Sequence, residues 1–327
     1  MYQKVFYQGK QSDCNAAILL MALENIGVKN VPHPDCLTTR SFTIRCPRQN
    51  PSLWFSPFVT PLEGLLTALK ILNVQYSCQV IANSLSEKKS LELFRTIEHF
   101  LRDGMIILGP LNRTKIWNRI NSRYYKGDAY FILIMACYNE THLLVHDPEG
   151  CPYFLLSKDK FFSAISGSNF EIGIVQLHPD FDLPSDEEIY FQVLLSGIKS
   201  IIRASSQQEG GSNGLRVLTQ EIASRKLKSS VEGVLYFAVP ALSLSASHLA
   251  EFLSDFPPKA ACKIANWDEV VPAILNLLCE EKLYCAQILE LLSSHNQKKI
   301  SEQFGKLANN RKLLEKLFVS VKFKSHE

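Results

Sequence analysis

Three features of the sequence predict an α+β fold followed by a helical C-terminal domain. Between residues 61 and 177, helical patterns alternate with short β-branched and aromatic runs. Of these, AYFILIMACY and HLLVH, parted by Asn139, Glu140 and Thr141, give the clearest hairpin signal. Residues 15–26 are apolar on nearly every helical face, the pattern of a helix buried through a domain centre. After HPDFDLPSDEE the strand signals largely stop and amphipathic helical patterns take over. The boundary falls near 180, giving a first domain over 1–180 and a mostly helical one over 181–327.

Each element has a local cause. Residues 2–7 alternate and can form a strand, and Asp13 is a good N-cap for the apolar helix behind it. The proline-rich stretch 32–58 lacks periodicity and is expected to be a long loop. Pro61 suits the first turn of a helix over 61–72. A strand over 74–81, an amphipathic helix over 87–102 ended by Gly104, and the buried strand MIILG follow. RTKIWNRINSRYYKGD reads as a polar loop. PYFLL and FEIGIVQL are strand candidates on either side of a helix near 157–165. Ser185 caps a helix over 185–204, and SSQQEGGSN reads as a flexible linker or loop. Further helices are expected over 214–228, 245–255, 268–293 and 297–320, with Pro272 in or near a first turn. VLYFAV, 234–239, fits a strand or a buried helical segment equally well.

Composition narrows the function classes. The 327 residues are 46% apolar and 20% charged, which suits a globular chain. A net charge of +3 gives no argument for nucleic acid or a membrane surface. No apolar run reaches the roughly 18 residues of a membrane span, and MYQKVFYQGK has no apolar signal-peptide core. Nine scattered cysteines without a CxxC pair argue against a disulfide framework and a zinc knuckle, and so for a reducing cytoplasm. No metal site is expected.

One cysteine stands apart. Cys14 lies just inside a helix start, where unpaired N–H groups and the helix dipole favour a thiolate. Gln8 lies six residues upstream, so its amide could return to stabilise an oxyanion. A cysteine nucleophile needs such a donor, and it needs a base.

The pattern Q-x4-D-C-x-A-A resembles the entry motif of the bacteriocin-processing cysteine peptidase domains of ABC exporters. DGMIILGPLN and YYKGDAYFILIMACYNETHLLVHDPEGCPYFLL are similar to the N-terminal domain of the butirosin-biosynthesis acyltransferase and its relatives. The resemblance spans about residues 5–177 and, more loosely, the tail. It implies a papain-like fold in which a cysteine attacks an acyl group, a strand histidine is the base and the Asp of Asp-Pro orients it. Cys14 and Asp147 match those positions, and Gln8 matches the oxyanion position.

The histidine does not match. GDAYFILI puts Ala129 where the resemblance expects the base, whereas counting back sixteen residues from Asp147 reaches Phe131. A hairpin two residues longer, one in each strand, reconciles Ala129 with Asp147, and Gly127, Asp128 and Tyr130 fit around it. Neither alanine nor phenylalanine accepts a proton. Either the chain carries a His→Ala change, which the survival of Cys14, Gln8 and Asp147 favours, or the site is naturally degenerate and binds without catalysing.

The remaining candidates lie beside this centre. Asn112, Trp54 and Tyr130 are candidate substrate contacts. Arg113, Lys115, Arg119, Arg123 and Lys126 form a basic stretch that would suit a phosphopantetheine arm on an acidic carrier protein. The resemblance implies acyl transfer from a carrier-protein thioester to a small-molecule amine, with no resident cofactor, nucleic acid or membrane partner. The helical domain could cap the cleft or form a homodimer. Peptide cleavage by the same residues and non-catalytic binding are the alternatives.

Overall fold

A computed structural model of the chain describes residues 14–46, 59–81, 87–116, 130–148, 151–168, 170–224 and 229–324. They form a mixed α+β protein with a six-stranded antiparallel sheet in one of two compact units. The expected strand over 2–7 and the Asp13 cap lie outside the described residues.

The first unit takes in described residues 14–38, 60–116 and 130–183. Helix α1, Cys14–Asn25, buries Ala16, Ala17, Ile18, Leu19, Met21 and Leu23, so little of it meets water. The short helix α2 spans Pro34–Leu37 within the expected loop. Helix α3, Pro61–Ile71, begins at Thr60, whose side chain accepts from Glu63 N–H at 3.3 Å. Strand β1 (Val74–Ile81), helix α4 (Glu87–Phe100), strand β2 (Ile106–Leu111) and the single turn α5 (Arg113–Ile116) follow. The hairpin is β3, Tyr130–Asn139, and β4, His142–Asp147. Then come β5 (Cys151–Ser157), α6 (Lys158–Ser166) and β6 (Ile172–Phe181).

The sheet order is β1-β6-β2-β3-β4-β5. Ile106, Leu108, Ile132, Ile134, Val145 and Ile174 share a core cluster with Phe94 and Ile97 of α4 and with Phe161 and Ile165 of α6. Burying each such side chain contributes about 1.5–3 kcal/mol. Gly173 alternates with that row and meets α3 instead, where a Cβ would press on Leu62. Helix α1 packs on β2 and β3.

The second unit contains the described residues 39–46, 59 and 184–324. Residues 39–46 of the expected loop therefore belong with the helical domain, whereas 32–38 belong with the sheet. Its helices are α7 (Asp186–Ser205, capped by Ser185), α8 (Gly211–Ser224), α9 (Ser229–Ser254), α10 (Pro258–Ala261), α11 (Trp267–Ser293) and α12 (Gln297–Val319). Phe42 sits edge-on to Phe252 and Phe318 at 6.0 and 5.7 Å. It lies over Gly197, where a Cβ would overlap the ring. Arg311 joins residues 39–46 to the helices. Its guanidinium donates to both Glu281 oxygens at 3.1 and 3.2 Å and to the Phe42 carbonyl at 2.7 Å.

Several sequence expectations change here. VLYFAV is helical, inside α9, because Leu235, Ala238, Val239 and Leu242 fall on one face of the helical core. By length and composition alone Val234–Ser254 passes as a candidate membrane span, a weak signal that core helices share. SSQQEGGSN, expected to be a flexible linker or loop, is a short loop over 206–210 between α7 and α8. Gly210 bridges to Arg45, and α8 already begins at Gly211. Helix α11 starts at Trp267, so Pro272 stands in its second turn.

Candidate functional site

Cys14 is the first residue of α1 and is half-buried, packing against the core cluster that includes Tyr130. Its place follows from the sequence: the polar segment ends there and the apolar helix begins. Gln8, Trp54 and Ala129 lie outside the described residues.

Asp147 closes β4 and is 1% exposed, and Tyr130 opens β3 and is 2% exposed. The Tyr130 hydroxyl donates to Asp147 Oδ1. The register explains the meeting. Leu133 pairs with His146 and Ile134 with Val145, but Ala136 pairs with Leu144 and Asn139 with His142. Two extra residues are thus absorbed, both in β3 rather than one in each strand. Extending the register places Ile132 opposite Asp147. Tyr130, two residues on, shares that face and lies within diagonal reach of a long side chain.

Arg113, at the start of α5, holds its guanidinium carbon 5.3 Å above the centroid of the Tyr130 ring. Burial raises the Tyr130 pKa far above the ordinary phenol range, and Asp147 and Cys14 add to that, with Arg113 opposing. Tyr130 is therefore a protonated donor at physiological pH and not itself a base.

Of the two positions considered for the base, Ala129 lies outside the described residues and Phe131 does not face Asp147. Phe131 turns to the other face, where a Cβ on Gly109 would come within 2.5 Å of its ring. His146 also faces away from Asp147 along β4. Its Nδ1 accepts from Tyr153 N–H at 3.2 Å, and the two rings meet edge-on at 4.8 Å. Burial lowers the His146 pKa to about 4, so this imidazole is neutral near pH 7. His142 opens β4 beside the hairpin turn, its Nδ1 2.9 Å from the Thr141 hydroxyl.

Asn112, expected against substrate, makes structural hydrogen bonds. Its amide donates to Gly167 O at 2.9 Å and accepts from Thr114 N–H and Oγ1 at 3.0 and 2.7 Å. It clasps the start of α5 to the end of α6. Tyr130, expected against substrate, engages Asp147. Of the basic stretch, Arg113 and Lys115 are described, and Arg119, Arg123 and Lys126 lie outside. Among the described residues no group of three or more His, Cys, Asp or Glu side chains is arranged to hold a metal ion.

A scan against protein-family models finds no match for the chain, and a search of curated proteins finds none either. The site thus rests on its own geometry: a thiol at a helix start beside a neutral phenol bonded to a buried carboxylate. The sequence reading missed Tyr130 as the partner of Asp147. The available signal was its period-two relation to Ile132 and Ile134, which fixes the face, whereas counting offsets does not.

Proposed function

We propose that the protein is a cysteine-dependent acyltransferase of papain-like architecture. Cys14 takes an acyl group from a carrier-protein phosphopantetheine thioester and passes it to an amine of a small molecule. The observation that carries this reading is the Tyr130–Asp147 pair beside Cys14. Peptide cleavage needs an acid to protonate the departing amine and a base to activate water, and an imidazole supplies both. A neutral phenol with a raised pKa is poorly suited to either.

Thioester exchange asks for less. One thiol replaces another of similar acidity, so the proton moves between near-equal partners. An amine acceptor attacks the acyl-enzyme with its own lone pair and gives its proton to the departing Cys14 sulfur. Water, a weaker nucleophile, lacks that advantage. The site therefore favours aminolysis over hydrolysis, the balance that an acyltransferase needs.

The same raised phenol pKa also fits a second reading, a binding protein whose site holds an acyl thioester without reacting. One experiment separates the two. The unmodified protein is incubated with acyl-phosphopantetheine thioesters of several chain lengths and analysed by intact mass and peptide mapping. An acyl adduct at Cys14, absent from Cys14→Ser, supports the transferase. Saturable thioester binding without an adduct supports the binder and overturns the transferase.

A further inference from the structure

We propose that Tyr130 handles the Cys14 proton, with Asp147 as the acceptor behind it, so that Cys14, Tyr130 and Asp147 form a proton path without an imidazole. This deepens the acyl-transfer reading and rests on it. Three observations carry it. Tyr130 Oη already donates to a buried carboxylate, so its own proton has a destination. Cys14 packs on the cluster containing the Tyr130 ring, from the first residue of a helix that rests on β3. Arg113 stands over that ring, a cation placed to offset negative charge passing along the path.

The chemistry balances. As Cys14 Sγ bonds to the thioester carbon, its proton passes to Tyr130 Oη while the Tyr130 proton passes to Asp147. No free tyrosinate forms, which the burial of Tyr130 would forbid. When the carbon–sulfur bond to the donor breaks, the leaving thiolate recovers a proton by the reverse route. The net change is one thioester and one thiol for another pair, with no oxidant, reductant or added base. Tyr130 is then the catalytic residue, and Asp147, acting through it, positions and receives.

The path has a pH signature that a purely structural Tyr130–Asp147 pair lacks. Among the described residues the ionisable groups acting on Tyr130 are Asp147, Cys14 and Arg113. Reaction at Cys14 should therefore fall away as the Asp147 carboxylate is protonated, an inflection that needs the Tyr130 hydroxyl. Direct ionisation of a thiol at a helix start would instead give an inflection that Tyr130→Phe leaves in place.

The test is the pH–rate profile of the unmodified protein with two electrophiles, an acyl-phosphopantetheine thioester and iodoacetamide, read as Cys14 adduct by mass. The same inflection with either electrophile is expected. Tyr130→Phe should slow the reaction by about 100-fold and lose that inflection. Tyr130→His, which sets an imidazole against Asp147, should restore much of the rate. If iodoacetamide shows the inflection and no thioester reacts, the acyl-transfer reading fails and the proton path stands. If Cys14 acylates with a profile that Tyr130→Phe leaves unchanged, acyl transfer stands and the path is overturned. A Tyr130→Phe protein that is folded and reacts at the unmodified rate also overturns it.

Discussion

Tyr130 and Asp147 are joined across the β3–β4 hairpin by a buried hydrogen bond whose donor stands two residues beyond the position facing Asp147. Both side chains are nearly inaccessible to water. Removing the hydroxyl takes away a donor to a carboxylate, a bond worth about 1.5–3 kcal/mol. Tyr130→Phe should lose stability by that amount in urea unfolding monitored by circular dichroism. Cys14→Ser, which leaves the pair intact, should lose less.

His146 gives the fold an acid-side weakness. The folded protein holds it neutral until about pH 4, whereas the unfolded chain protonates it near 6.5. Between those values the unfolded state binds more protons. This contribution is therefore complete above the unfolded value and is lost as pH falls toward the folded one. The loss is at most about 3 kcal/mol. Urea melts at stepped pH should show stability falling across this window, and His146→Asn should flatten the slope.

Arg311 and Glu281 are a buried ion pair, 2% and 0% exposed. Breaking it from one side strands a charge and should cost about 3–5 kcal/mol. Arg311→Met alone should be severely destabilised. Arg311→Met with Glu281→Leu should recover most of that loss, since no charge remains buried. A double-mutant cycle in the full chain reads the difference.

Gly197 is small because Phe42 occupies the space above it. Gly197→Ala should therefore lose about 1–3 kcal/mol through overpacking, despite the better helix propensity of alanine. Thermal melts that show the variant more stable than the parent would place Phe42 elsewhere.

Much of the sheet unit was legible because its periods are strong. The Asn139–Thr141 turn, the alternation of β3 and the all-round apolar face of α1 each leave a local mark. Long-range choices left none. Phe42 reads as one more aromatic in a proline-rich loop, and only Gly197, Phe252 and Phe318, brought from distant helices, make it a core residue. VLYFAV fits two periods over six residues, and its helical neighbours decide between them. At the site, Cys14 and Asp147 were visible as residue types. The face of Tyr130 depended on where β3 takes up two extra residues, and no composition rule fixes that.

The most direct measurement starts from the acyl-enzyme. Protein acylated at Cys14 is freed of donor and split between buffer and a panel of primary amines, and loss of the acyl mass is followed in time. Slow loss in buffer, faster loss with amine in proportion to its concentration, and an amide product are expected. Rapid loss in buffer that amines leave unchanged, or cleavage of peptides by the same preparation, would contradict it.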